Sequence, residues 1–220
     1  MRTLPPEERA LRSNRASRAR EYEEIYAKPE RQADLARLKA WLAEEARDRA
    51  ILEIACGTGY WTAIAATTAY LILAIDRSTA SLELARSKAL GPRVDFAEAD
   101  AYGLPDFARR FVCGMAHCFW SHVPKARMAA FLAHFASRLC PGAKLLLIDN
   151  VFVPGSNTPI ARRDEEGNTY QLRTLSTGER HEVLKNFPTT HEIKAALGTV
   201  ASQVDLLELT YYWAARAILA

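Results

Sequence analysis

Three stretches of this 220-residue chain combine residue types and spacings that could do chemistry. The first is Ile51–Gly59, reading Ile-Leu-Glu-Ile-Ala-Cys-Gly-Thr-Gly, where an apolar run stops at two glycines and an alanine-rich stretch follows. Glycine lets a ligand approach the backbone closely, and the start of a following helix offers unpaired N–H groups. The second is a pair of carboxylates, Asp76 and Asp100, each placed just after an apolar run. A carboxylate at such a place can accept two hydroxyl or amino protons. The third is His117-Cys118-Phe119-Trp120-Ser121-His122-Val123-Pro124, whose imidazoles titrate near neutral pH and could move a proton. Dinucleotide-binding enzymes also use a glycine turn, in the form Gly-x-Gly-x-x-Gly with an acidic residue about 20 positions on. Here Thr62 stands in place of the third glycine, which counts against NAD.

The elements that must position these groups follow from periodicity. Tyr22, Ile25 and Tyr26, and after Pro29 Leu35, Leu38, Trp41 and Leu42, recur at helical spacing and predict two helices between Arg15 and about Glu45. Ala50–Ala55 predicts a strand, Thr62–Thr68 a helix, Tyr70–Ile75 a second strand, and Ser78–Ala89 a helix capped by Ser78 and ended by Gly91-Pro92. Val94–Ala97 and Phe111–Cys118 continue as strands three and four, with a short helix or turn at Leu104–Ala108 between them. Lys125–Leu139 reads as an amphipathic helix closed by Pro141-Gly142, and Leu145–Ile148 as strand five. Such alternation predicts a mostly parallel sheet with helices on both faces. The rhythm then changes. Thr169–Leu175 and His181–Phe187, joined by Ser176–Glu179, predict a β-hairpin inserted after strand five; a helix at Thr190–Leu197 and strands at Val204–Leu209 and Tyr212–Leu219 complete the chain.

Glu53-Ile-Ala-Cys-Gly-Thr-Gly, Asp76 and Asp100-Ala101 together resemble the three cofactor-binding motifs of class I methyltransferases, which use S-adenosylmethionine (SAM). The resemblance runs from about Ile51 to the C-terminus. It implies an α/β fold, a seven-stranded mostly parallel doubly wound Rossmann-like sheet with an antiparallel last strand, here carrying N-terminal helices and the inserted hairpin. It divides the chain into an N-terminal helical cap over residues 1–49 and a SAM-binding domain over 50–220 that includes the insertion at 151–188. By the same resemblance Asp76, with Arg77 beside it, holds the ribose hydroxyls, and Asp100 with the Ala101 amide reads the adenine edge. Ala55, Cys56, Gly57 and Gly59 lie against the methionine part, Glu53 organises the loop, and an N-terminal helix places Tyr26, Arg31 or Gln32 near the methionine end. S-adenosylhomocysteine (SAH) is the implied product. The family usually has glycine where Ala55 stands and often an aspartate where Val112 stands, so no carboxylate role is carried to Val112. The His117–Pro124 run resembles the fourth motif, which ends beside the transferable methyl.

Methyl transfer is an in-line displacement at a carbon activated by the sulfonium, so alignment and exclusion of water matter more than a base. Where the acceptor must lose a proton, His122 or His117 is the candidate base; the alternative is that either only hydrogen-bonds as part of the wall. His117 also counts among the cofactor contacts. Tyr22, Tyr26, Trp61 and Trp120 could face the sulfonium charge, or simply pack in the core. Trp120, Ser121, His122 and Tyr22, with Tyr170 and Arg173 of the insertion, are the expected acceptor contacts. The insertion is dense in polar side chains, among them Arg162, Tyr170, Gln171, Arg173, His181, Lys185 and Asn186; its alternatives are a solvated hairpin or a dimer contact. Cys113, His117, Cys118 and His122 are zinc-ligand types, but strand alternation would point Cys118 away from His117, and no metal is expected.

Composition narrows the partners. The net charge of +3 is small and both signs run throughout, so no polyanionic partner is demanded. The arginines between Arg2 and Arg20 read as a solvated helix start rather than a transit peptide or nucleic-acid arm. Four cysteines without a Cys-x-x-Cys pair suit a reducing cytoplasm, and no apolar stretch nears the roughly 20 residues that span a bilayer. The expectation is a cytoplasmic monomer or homodimer, with no nucleic acid or membrane partner, that methylates an oxygen or nitrogen of a small molecule, aromatic and heterocyclic metabolites among the candidates. An rRNA or protein methyltransferase, a non-catalytic SAM-binding regulator and an NAD-dependent oxidoreductase are the alternatives.

Overall fold

A computed structural model describes residues 23, 25–107, 111–174, 178 and 180–220. The arginine-rich start, Tyr22, Ala108 and most of the hairpin tip at Ser176–Glu179 lie outside the described residues. Among the described residues there are ten strands, one more than predicted, and five α-helices. The helices are α1 (Gln32–Ala46), α2 (Tyr60–Ala65), α3 (Thr79–Ser87), α4 (Met128–Ala136) and α5 (Thr190–Leu197). Strands β1 (Ala50–Ile54), β2 (Leu71–Asp76), β3 (Val94–Glu98), β4 (Phe111–His117), β5 (Leu139–Asn150), β9 (Ala201–Glu208) and β10 (Tyr212–Leu219) form one sheet in the order β3-β2-β1-β4-β5-β10-β9. All pairs from β3 to β5 are parallel, and β10 runs antiparallel to both β5 and β9. The strand order reverses between β1 and β4, which in an open α/β sheet opens a crevice at the carboxyl ends of those strands.

Alternating side chains build a core on each face. Ile51, Cys113, Met115, Leu146 and Ile148 pack with Leu35, Leu38 and Leu42 of α1 and Trp61 and Ala65 of α2. Leu52, Ile54, Ala116, Leu145 and Leu147 pack with Phe131, Leu132 and Phe135 of α4 and Ile193 and Leu197 of α5. Gly114 on β4 permits that second layer to close. A Cβ there would lie 2.6 Å from Leu139 and 2.9 Å from both Leu145 and Phe135, contacts a packed interior cannot absorb without shifting α4. The start of the chain's last helix is set by Thr189, which forms a capping box with Glu192 at the first turn of α5.

Five expectations change. Ile25 and Tyr26, predicted to be helical, lie in a turn. Pro141-Gly142 does not close α4 but lies inside β5, where the pairing register with β4 slips between Phe111 and Cys113. Such a slip accommodates a residue that cannot donate to the ladder. The helix predicted from Lys125 opens with a 3₁₀ turn, Lys125–Arg127, before α4. Residues 104–107 are neither helix nor turn. The insertion is a three-stranded antiparallel sheet rather than a hairpin, because β6 (Ile160–Arg163) joins β7 (Thr169–Thr174) and β8 (Arg180–Leu184) in the order β6-β7-β8. No helix among the described residues is long and apolar enough to cross a membrane.

Candidate active site

A cleft of about 820 Å³, counted to its open mouth, lies over the carboxyl ends of β1 and β4. Its floor at one end is the loop after β1. Ala55 leaves the strand at φ 51°, in the left-handed region, and Gly57 and Gly59 follow at φ 57° and 76°. Gly59 is also the cap of α2, and a Cβ there would lie 3.1 Å from that of Ala85, so the loop can hug α3 only without a side chain. Asp76, at the end of β2, fixes the turn: its Oδ2 accepts from the Gly57 amide at 2.8 Å and its Oδ1 from the Ser78 amide at 2.8 Å. Asp100 is exposed beyond β3 and accepts from the Tyr102 amide at 2.9 Å, while Ala101 is buried.

The middle of the cleft is lined by groups from the α1/α2 face. Glu53 and His117 stand on adjacent strands on that face, each almost wholly buried, with Nδ1 3.6 Å from Oε1. Glu53 Oε2 and both ring nitrogens of His117 have no hydrogen-bond partner in the protein. Buried polar atoms without partners are costly, and these three belong to residues that line the cleft, where a polar ligand can satisfy them. Trp61 packs 5.5 Å from the His117 ring and donates its Nε1 proton to the Tyr26 hydroxyl at 3.0 Å. Tyr26 in turn stacks on Tyr60, 3.9 Å between centroids, and donates to Cys118 Sγ at 3.5 Å. Cys118 therefore faces the same cleft as His117. Strand alternation would separate them, but the chain turns left-handed at Cys118, φ 54°, and swings the thiol back. Burial pushes that thiol up to about 11, so it is uncharged at neutral pH.

The far end belongs to β5 and the inserted sheet. Asp149 is completely buried and accepts from the Ser121 amide (2.8 Å), the Ser121 hydroxyl (2.8 Å), the Asn150 amide (2.7 Å) and Lys185 Nζ (3.2 Å). Burial opposes its charge, but Lys185 and the two amides outweigh that cost and hold the carboxyl below its usual value. Lys185, just past β8, also donates to Ser121 Oγ at 2.6 Å. The main chain locks this junction: the Asn186 amide donates to the Ser121 carbonyl at 2.7 Å and the Lys185 amide to that of Thr169 at 2.8 Å. His122 sits against the same group. Burial, then the charges of Lys185 and Arg173, push its imidazole down to about 3, against the opposing pull of Asp149 and a hydrogen bond to the Leu184 carbonyl.

Of the residues singled out from sequence, Tyr26, Glu53, Ala55, Cys56, Gly57, Trp61, His117, His122 and Arg173 line the cleft. Others act from outside it. Gly59 and Asp76 shape the loop, and Ser121 ties Lys185 to Asp149. Arg77 is exposed. Arg31 is buried away from the lining; its guanidinium donates to Ser156 Oγ at 2.9 Å and Asn150 Oδ1 at 3.3 Å, pinning the chain before α1 to the loop after β5. Gln32 instead bonds the Tyr26 and Lys28 carbonyls. Trp120 points into the other face, edge-on to Trp213, because the 3₁₀ turn Trp120–His122 sends neighbouring side chains in different directions. Tyr170 donates to Asp164 at 2.9 Å under the Arg162 guanidinium, outside the cleft. Thr58, Tyr60, Asn150 and Lys185 line the cleft without having been given a role from sequence. The position of Asn150 and Asp149 at the end of a central parallel strand is the signal that could have found them.

Comparison with known proteins agrees with this geometry. Residues 51–142 match the family model of a methyltransferase domain. No curated protein matches the sequence. Two solved structures of DhpI, one with SAH and one with SAM and HEP, are each 26% identical to the chain. They superpose with TM-scores of 0.72 and 0.73 and cover 94% and 98% of this chain, and 94% and 99% of their own. The Burkholderia thailandensis 1,6-didemethyltoxoflavin-N1-methyltransferase shares the fold at 18% identity, TM-score 0.64, over 100% of this chain and 92% of its own. With the strand order, the glycine loop after β1 and Asp76 at the end of β2 all in place, the fold and the domain over residues 51–142 are those of a SAM-dependent methyltransferase.

Proposed function

We propose that this methyltransferase acts on an oxygen or nitrogen of a small molecule bound at the β4–β5 end of the cleft. The observation that carries this is the lining of that end: Arg173 of the inserted sheet and Lys185 just past it line the cleft beside His122, and Asn186 ties the segment after the sheet to the Ser121 and Val123 carbonyls. The two DhpI structures and the toxoflavin enzyme, whose bound acceptor is itself small, support the reading.

The residues present fit SAM. Gly57, with open space where a Cβ would stand, and the unpartnered atoms of Glu53 and His117 provide a polar cradle for the amino-acid part. Asp76 and Asp100, at neighbouring strand ends, take the ribose hydroxyls and the adenine edge. When bound, SAM supplies a methyl carbon already activated by the sulfonium. The protein's own task is then alignment and exclusion of water. Trp61, Tyr26 and Tyr60 form the aromatic wall that excludes it and that favours positive charge at the sulfur. His122, neutral and a weak base between Lys185 and Arg173, orients the acceptor rather than taking its proton.

Calorimetric titration with SAH and release of labelled methyl from SAM into cell extracts test the assignment together. Asp76→Ala is expected to weaken SAH binding roughly tenfold or more, the loss of a charge-assisted contact. His122→Ala should leave SAH binding within about twofold and lower methyl incorporation, since the imidazole meets the acceptor end. Equal loss of SAH affinity in the two variants would overturn the division of roles.

A further inference from the structure

Resting on the placement of adenine beside Asp100, we propose that His134 is a positioning residue for the cofactor, which it serves by fixing the loop after β3 through one main-chain hydrogen bond. Residues 99–107 carry Asp100 and Ala101 yet belong to no helix or strand. The loop's own bonds are short-range: the Tyr102 amide donates to Asp100 Oδ1 at 2.9 Å and the Gly103 amide to the Asp100 carbonyl at 3.0 Å. They give the turn its shape. Its entry is set by the Ala99 amide, which donates to the Asp76 carbonyl at 3.1 Å, and its exit by α4. Arg127 at the cap of α4, Phe131 and His134 recur at spacings of four and three and so share one face. The Arg127 guanidinium lies 4.4 Å from the centre of the Tyr102 ring, and Phe131 meets that ring edge-on at 5.8 Å. Such contacts grip a side chain and tolerate small shifts. His134 Nε2 instead accepts from the Leu104 amide at 3.0 Å. Among the described residues, this is the one hydrogen bond tying the main chain of 100–107 to another element.

A base edge is read by hydrogen bonds, which need the reading group held to within about 0.5 Å. Asp100 is exposed, so its position follows the turn that carries it. That turn closes from Gly103 back onto Asp100, and the next residue, Leu104, is buried and pinned by His134. With the Leu104 amide released, Asp100 drifts from the adenine edge. The loop after β1 keeps its shape, because Asp76 holds it through the Gly57 amide. His134 does not line the cleft, and its influence runs through the loop. A glutamine can replace it, since Oε1 reaches about as far as Nε2 and accepts likewise, whereas alanine leaves the amide of a buried residue without a partner.

The test is calorimetric titration of the full chain, as wild type, His134→Ala and His134→Gln, with SAH and with S-ribosylhomocysteine, the same molecule without its adenine. SAH affinity should fall roughly three- to tenfold in His134→Ala, as the loss of one hydrogen bond requires, and stay within about twofold in His134→Gln. S-ribosylhomocysteine should bind all three alike. An equal loss for both ligands in His134→Ala would make the residue a prop of the fold and overturn the inference, as would unchanged SAH affinity. Hydrogen exchange across residues 100–107 decides the matter where the ribosyl ligand binds too weakly to titrate. SAH should slow that exchange in wild type and His134→Gln but much less in His134→Ala, and equal slowing in all three would overturn the inference. Failure of wild type to bind SAH at all would instead strike the cofactor assignment beneath it. Wild type that binds both ligands equally tightly would strike the adenine placement on which the inference rests.

Discussion

At the β1–β3 end of the cleft the working groups are backbone amides and glycines, with carboxylates such as Asp76 holding them in shape. At the β4–β5 end they are side-chain charges, Asp149, Lys185 and Arg173, brought together from segments far apart in the chain. The first end can be written in a few consecutive residues, because a loop after one strand carries its own geometry. The second depends on an inserted sheet finding its seat, and its polar groups are stable only when all are present. The cofactor end should therefore tolerate side-chain changes with local effects. The acceptor end should fail cooperatively.

The largest expected effect breaks that cooperativity. Lys185→Met removes the cation from a fully buried Asp149, and stranding a buried charge costs about 3–5 kcal/mol. Adding Asp149→Asn should recover part of the loss, since the neutral side chain no longer strands a buried charge and its one carbonyl oxygen can still accept from either the Ser121 or the Asn150 amide, though not from both. Urea unfolding of the two single variants and the double measures the coupling. Strictly additive losses would mean that the pair does not hold the acceptor end together.

Acid should expose the same end next. His122 in the folded protein titrates near 3 against an ordinary value of about 6.5, so between those values the unfolded chain takes up a proton and the folded chain does not. That favours the unfolded state progressively as pH falls from about 6.5. Asp149, held below its usual value, adds a second loss once the unfolded carboxylate protonates below about pH 4. Stability should drop by about 1–2 kcal/mol between pH 7 and pH 5, read from urea midpoints. The His122→Gln variant should lose much of that slope in this window. An unchanged slope in the variant would move the cause elsewhere.

The same contrast explains what the sequence revealed. The placement of the run Ile51–Gly59 and of the strand-end carboxylates was readable because it follows from local order: a strand, a turn that needs positive φ, a helix start. The seven-stranded sheet followed from alternating periodicity. The acceptor end was readable only in parts. Arg173 and His122 were named, but Lys185 appeared as one polar residue among many, and nothing near it in sequence announces Asp149 36 positions earlier. Trp120 and Ser121 were expected beside His122 in the cleft; a 3₁₀ turn, invisible to a period-two reading, turned one into the core and the other onto Asp149. β6 was missed because Ile160–Arg163 is short and mostly exposed, so it carries no apolar alternation.

The smallest predicted effect sharpens the comparison at one strained residue on each side. Ala55 and Cys118 leave their strands at φ 51° and 54°, a conformation that costs a residue with a Cβ about 1–2 kcal/mol. Glycine removes that strain and returns part of the gain as extra freedom in the unfolded chain, about 0.5–1 kcal/mol. At Ala55 little else is lost, so Ala55→Gly should be stabilising by up to about 1 kcal/mol, a rise of about 1–4 °C in Tm. At Cys118 the same relief removes a buried thiol that takes the Tyr26 hydroxyl at 3.5 Å and the Asn150 amide at 3.9 Å. Cys118→Gly should therefore show no gain, and should loosen the aromatic wall that Tyr26 anchors. Thermal melts of the two variants decide the matter: stabilisation of both would mean that Cys118 holds nothing at the acceptor end, and stabilisation of neither would remove the strain assigned to the turn after β1.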